Sequence, residues 1–124
     1  MFNLYRNLPT FKGKLRFLRF LLRESYLKKE TSFKLKKKNL LITVPNLIEN
    51  VSFELFCNGE YETDYINYFI SSIPVGGVFF DIGANIGIYS LTIAHHRPDI
   101  KIYAFEASPF VYNFLEKNII QNKF

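Results

Sequence analysis

Between Val78 and Pro109 the sequence leaves little freedom of fold. A short apolar run, VFF, meets the loop DIGANIG; a helix-like stretch, IYSLTIAHH, follows, then a turn, RPD, and a second apolar run, KIYAFEA. Strand, helix and strand at this spacing form a βαβ unit, in which the helix carries the chain back so that the two strands run parallel. Another helix opens at Pro109, where proline suits a first helical position. The reading is an α/β chain built on a parallel sheet.

Composition agrees with a packed core, since 48% of the residues are apolar and 18% aromatic, too many for a disordered chain. The single cysteine, Cys57, excludes an internal disulfide and a cysteine-rich metal site. It alternates with Val51, Phe53 and Leu55, which places a buried thiol on a strand. Charge is divided along the chain. Residues 1–38 hold twelve of the sixteen basic groups and two of the eleven acids, net +10, and residues 39–124 are net −5. No apolar stretch reaches the ~20 residues of a membrane span, and FLRFLLRESY is interrupted by arginine too often for a signal-peptide core. A cytoplasmic protein, peripheral at a membrane surface if the basic segment binds one, is the expectation.

The organisation read from the sequence is a basic amphipathic helical segment over 1–38, followed by the sheet-bearing domain over 39–124. Phe11, Leu15, Leu18, Leu22 and Tyr26 recur at helical spacing, flanked by Lys12, Arg16, Arg19 and Arg23. Residues 11–26 therefore read either as an interfacial helix on anionic lipid or an acidic partner, or as a helix docked on its own domain. Phe17, Phe20 and Leu27 interrupt the polar face and favour docking. Nucleic acid is not expected, because the segment has charge but no binding motif. NLLITVPNLIENVSFELFC, Asn39 to Cys57, reads as a β-hairpin around Pro45-Asn46, with Lys36, Lys37 and Lys38 as a solvated edge at its entry. YETDYINYFISSI reads as a helix capped by Thr63 or Asp64, with Tyr65, Ile66, Phe69, Ile70 and Ile73 on one face and Pro74, Gly76 and Gly77 ending it.

The loop after the first parallel strand has the chemistry of a ligand site. Asp81 stands at the carboxyl end of its strand, where open α/β sheets bind ligands. Gly83 and Gly87 permit a sharp turn and close approach of a ligand, just where the next helix exposes unpaired N–H groups that attract an anion. Glu106 follows Asp81 by 25 positions, close to the ~20 at which an acid meets a ribose diol in nucleotide-binding βαβ units. A ligand with a ribose and a carboxylate or phosphate is implied. A dinucleotide loop has glycine where Asn85 stands here, and Asp81 repels a pyrophosphate. S-adenosylmethionine has no phosphate and carries two cationic groups, so the acid favours it.

FFDIGANIGIYS followed by IYAFEASP resembles the FkbM-type methyltransferases, a branch of the class I S-adenosylmethionine-dependent enzymes, and GEYETDYINYFISSIPVGG ahead of it is similar to their lead-in. The resemblance spans about residues 51–124. It implies a Rossmann-like domain that methylates oxygen, commonly a hydroxyl of a sugar or secondary metabolite. Carried over by position, Asp81, Gly83, Ala84, Asn85 and Gly87 form the cofactor loop and Glu106 takes the ribose hydroxyls; Ala107 departs from the proline usual after that acid. Such a domain has about seven strands, and the sequence ends in LEKNIIQNKF after two, so roughly another hundred residues are expected in relatives and the chain alone is expected to be marginal and doubtfully active. The base and acceptor pocket would follow later strands, and no catalytic residue is named.

Glu62 matches an acid common in that lead-in and is equally explained by a helix dipole. Tyr61, Tyr65, Tyr68 and Tyr89 read as core. His95 and His96 suit the end of a helix, but adjacent histidines do not share a helical face, and no metal is expected. Two other readings remain at this point: a non-catalytic interaction module with a basic helix, and an NAD-type oxidoreductase, which Asp81 and Asn85 disfavour. The expected partner of the enzyme is a small-molecule or glycan acceptor.

Overall fold

The structure, a computed structural model, describes residues 8, 9, 11–36 and 39–124. It is a mixed α/β domain with an N-terminal helix, an antiparallel hairpin and a small parallel sheet. In chain order its elements are α1 (Lys14–Leu21), α2 (Glu24–Leu27), β1 (Thr31–Lys34), β2 (Leu41–Val44), α3 (Asn50–Asn58), α4 (Thr63–Ser72), β3 (Val78–Ile82), α5 (Ile88–His96), β4 (Lys101–Phe105) and α6 (Pro109–Gln121).

The βαβ unit follows the sequence pattern closely. β3 and β4 are parallel, pairing Val78 with Lys101 through Ile82 with Phe105, and α5 connects them. One sheet face, with Phe79 and Ile102, packs on the helical layer, where Phe69 of α4 meets Phe79 at 5.3 Å and Tyr89 of α5 at 6.1 Å. The opposite face carries Val78, Phe80, Ile82, Tyr103 and Phe105, all exposed, with Phe80 stacked on Tyr103 at 5.3 Å.

Upstream, the hairpin is real but displaced. β1 pairs with β2, Thr31 opposite Val44 and Lys34 opposite Leu41, so the hairpin joins residues on either side of the expected 38/39 boundary. Lys37 and Lys38 lie outside the described residues. The run read as its second arm is α3. Asn46 Oδ1 accepts from the N–H groups of Ile48 and Glu49, the Glu49 carboxylate then accepts from those of Val51 and Ser52, and Gly59 closes the helix at φ 74°. Those caps outweigh the alternation of Val51, Phe53, Leu55 and Cys57. Cys57 is buried as expected, on a helix rather than a strand.

The basic helix also differs from its expected form. It divides at Leu22, which is extended (φ −87°, ψ 131°), into α1 and the single turn α2. α1 docks on α3: Leu18 is 2% exposed, and the Arg19 guanidinium lies 4.5 Å over the Phe53 ring while donating to Asn50 Oδ1. Phe11, expected on the inner face, is exposed. Lys14 takes an inner place, with Nζ donating to the Leu8 carbonyl at 2.9 Å.

Two polar constructions join the parts. On the outer edge of β2, α6 supplies amide side chains in place of a third strand. Asn118 Oδ1 accepts from Thr43 N–H at 2.8 Å and its Nδ2 donates to Thr43 C=O at 3.0 Å; Asn122 does the same for Leu41, and Gln121 Nε2 donates to Leu41 C=O. Every one of these is a backbone group that a sheet edge otherwise leaves open. The second is a clasp at the end of α4, where Arg97 donates to the carbonyls of Ile70, Ile73 and Pro74 and, bidentately, to Asp99. Asp99 also accepts from Gly76 N–H.

Candidate functional site

β3 delivers Asp81 to the edge of the loop, where Oδ2 accepts from both the N–H (3.1 Å) and the hydroxyl (2.6 Å) of Ser90 in the first turn of α5. A carboxylate at that position satisfies helix N–H groups and suits the helix dipole. The loop beyond it turns through three left-handed residues, Gly83 (φ 79°), Asn85 (φ 51°) and Gly87 (φ 91°). Its amides are fixed from β4: the N–H groups of Gly83 and Ala84 both donate to the Phe105 carbonyl, at 2.9 and 2.8 Å. Glu106, one residue on, accepts from Asn85 N–H with Oε2 and from Ser108 N–H with Oε1, each at 2.9 Å. Asn118 Nδ2 holds the loop from beneath by donating to the Ile86 carbonyl at 2.9 Å.

The two glycines differ. A Cβ at Gly83 would meet nothing within 4 Å, whereas one at Gly87 would stand 2.7 Å from Leu115 Cδ1. Gly83 faces a pocket of about 200 Å3, and Gly87 packs against α6.

Asp81, Gly83, Ala84 and Asn85 line that pocket together, with Tyr61, Glu62 and Tyr89 opposite; Gly87 and Glu106 do not line it. Glu62 precedes α4 with a left-handed backbone (φ 43°) and makes no side-chain cap; its Oε2 accepts instead from the Tyr89 hydroxyl. An uncommon backbone for a residue with a side chain thus directs a carboxylate over the loop. Burial first, then the hydrogen bond and charge of Glu62, push the Tyr89 hydroxyl well above its ordinary pKa, and burial and Glu62 also raise Tyr61. A second hollow, of about 410 Å3, shares Tyr61 and Glu62 as lining and adds Lys14, Lys36, Glu54 and Glu60.

The expectation that the tyrosines are core holds for two of the four. Tyr61 and Tyr89 pack against the core while also lining the pocket, whereas Tyr65 and Tyr68 are exposed. The Glu62–Tyr89 pair and the Asp81–Ser90 pair were not read from the sequence. The second had a local signal, a hydroxyl residue in the first turn of the helix that follows the acid. His95 and His96 stand ring to ring at 5.2 Å on the last turn of α5. Among the described residues no group of three or more His, Cys, Asp or Glu side chains is placed to hold a metal ion, and no helix is long and apolar enough to cross a membrane.

No family model matches the chain, and no solved structure matches it. Among curated proteins it is similar to a methyltransferase of Sordaria araneosa, sdnD, at 33% identity over 86 residues, covering 63% of this chain and 33% of that protein. It is 32% identical over 59 residues to the 31-O-demethyl-FK506 methyltransferase FkbM of Streptomyces tacrolimicus, covering 48% of this chain and 22% of the relative. It is also 36% identical over 74 residues to the AMB antimetabolite synthetase AmbE of Pseudomonas aeruginosa, covering 60% of this chain and 3% of the relative. The chain spans a third or less of the length of these relatives. Two of these three relatives are methyltransferases by name.

Proposed function

We propose that this chain carries the cofactor-binding part of an S-adenosylmethionine-dependent O-methyltransferase of the FkbM type, with β3 and β4 belonging to a Rossmann-like sheet. The acceptor is a hydroxyl of a sugar or other small metabolite. The observation that carries the reading is the loop itself: bare backbone at Gly83 opens onto a pocket walled by Asp81 and Glu62, while Glu106 holds the loop from the end of the neighbouring strand. Two carboxylates suit a ligand with an ammonium and a sulfonium and oppose a pyrophosphate. The pocket is smaller than the about 300–1,000 Å3 of a typical whole small-molecule site. It suits the amino-acid arm of the cofactor, with the ribose over Glu106.

S-Adenosylmethionine, when bound, supplies a methyl group already activated on a charged sulfur. The work left to Asp81, Gly83, Ala84, Asn85 and Glu106 is to bind and orient it, with Gly87 shaping the loop against α6, and orientation is where proximity contributes most in a displacement. Both Glu106 oxygens already accept one backbone N–H, and a carboxylate has capacity for further donors, so ribose hydroxyls add to those bonds without replacing them.

Calorimetric titration with S-adenosylmethionine, S-adenosylhomocysteine and NAD tests the reading. The two sulfur ligands are expected to bind and NAD to fail. Asp81→Asn should weaken both sulfur ligands. Preference of the wild type for NAD, or Asp81→Asn binding the sulfur ligands as the wild type does, refutes the charge argument.

A further inference from the structure

The outward face of α1 is the reverse of what a solvated helix presents. Residues 13, 16, 17, 20 and 21 share that face by helical spacing and all are exposed. Phe20 is 86% exposed, Phe17 48% and Leu21 44%, whereas Lys14 on the docked side is only 4% exposed. Water is a poor environment for a phenylalanine left this open. The docked face is already satisfied: Leu18 is buried, and Leu15 and Leu22 pack on the core. A second apolar stripe therefore stands on a helix that does not need it for folding.

Charge around the stripe decides what it fits. Lys12, Arg16 and Arg23 surround it, all exposed, and the nearby acid, Glu24, is paired with Lys28 at 2.6 Å. The face is a convex ridge of aromatic side chains rimmed by cations. That is the surface of a helix lying in the plane of an anionic bilayer, with phenylalanine below the headgroups and arginine among them. We propose that α1 docks this protein on anionic lipid through Phe17, Phe20 and Leu21, with Arg16 and Arg23 contacting the headgroups.

The test is co-sedimentation of the full chain with phosphatidylcholine vesicles, with and without about one-third phosphatidylserine, at low salt. Wild type should pellet with the anionic vesicles, remain in the supernatant with the neutral ones, and be released as salt rises. Exchanging both Arg16 and Arg23 for Gln should lower partitioning about thirtyfold, at roughly one kcal/mol per cation. Phe17→Ser with Phe20→Ser should lower it at least as much, and an Ile82→Ser control on the open sheet face, where Ile82 is 75% exposed, should leave it unchanged. The chain has no tryptophan, so Phe20→Trp adds a single reporter whose emission should shift to the blue on anionic vesicles. Wild type staying in the supernatant overturns the proposal. So does loss of binding in Ile82→Ser but not in the phenylalanine pair, or tryptophan emission that does not move. Equal binding to soluble polyglutamate and to vesicles, unaffected by the phenylalanine exchanges, assigns the surface to an acidic protein partner and overturns the lipid reading.

Discussion

Asn118 is fully buried and makes four hydrogen bonds, to the N–H and C=O of Thr43, the C=O of Ile86 and the side chain of Gln121. Asn118→Leu keeps the branching at Cγ, with bulkier methyl groups, and removes all four. Thr43 N–H is then a buried donor with nothing opposite, and the two carbonyls lose a donor each. A buried unsatisfied group costs about 1–3 kcal/mol. Weighting the N–H fully and each carbonyl, which has a second lone pair, at about half, the loss is about 2–6 kcal/mol, centred near 4. Against a typical total of about 5–15 kcal/mol this is a large fraction. At a slope of about 2 kcal/mol per M, the urea midpoint falls by about 2 M. Asn122→Ala, at the half-buried end of the same row, should cost only about 1 kcal/mol. The measurement is urea unfolding by far-ultraviolet circular dichroism, with equal slopes required. If Asn118→Leu lies within about 0.5 kcal/mol of the wild type, the range of ordinary surface substitutions, or if Asn122→Ala costs as much as Asn118→Leu, the edge-sealing account is wrong.

Gly87→Ala should destabilise by about 2–4 kcal/mol, because a left-handed backbone with a side chain and an overpacked contact with Leu115 add, while Gly83→Ala should cost only the backbone part and instead weaken S-adenosylhomocysteine binding. Calorimetry beside thermal melting separates the two, and equal melting losses refute the distinction. Glu106→Gln is not conservative here: it turns an amide N–H toward a backbone N–H that now has an acceptor, so hydrogen exchange at Asn85 or Ser108 should accelerate and cofactor affinity should fall by about 1–3 kcal/mol; unchanged exchange at both amides argues against it. The Arg97 guanidinium and the Gly76 N–H hold the Asp99 carboxyl well below the usual carboxylate range. Its stabilising effect is therefore complete above the unfolded pKa of about 4 and fades as pH falls below it. In Asp99→Asn the melting temperature should drop less steeply on acidification, and parallel acid limbs would show that the clasp does not titrate with folding.

The βαβ unit was legible because punctuation and periodicity agree there: Gly77, Gly83 and Gly87, Pro98 and Pro109 separate runs of matching period. α3 was not, because its residues Ser52, Phe53, Leu55, Phe56 and Cys57 are all buried and a helix enclosed on most sides shows no polar stripe to set its period. Its caps, Asn46, Glu49 and Gly59, were the one local signal of a helix, and Asn46 was read instead as part of a hairpin turn. β1 was missed because TSFK places a single apolar side chain, Phe33, inward. In the site, Asp81 and Glu106 could be placed because each ends a strand. Glu62 reaches Tyr89 across 27 positions, and no local pattern encodes that meeting. Nothing local in LEKNIIQNKF marks Asn118 either, because its partners lie 75 and 32 positions away.

The amide row on β2 also sets a clock. Thr43 and Leu41 wait for partners that are synthesised 75 and 81 residues later. At about 5–20 residues per second a ribosome leaves the β2 edge of the finished hairpin raw for on the order of 4–16 s, during which another nascent chain on the same message presents an identical one. Crowded translation at high expression is thus the moment at which this protein is most exposed to pairing with its own copies, and slower initiation, which spaces the chains, should raise the soluble yield without any change in the sequence.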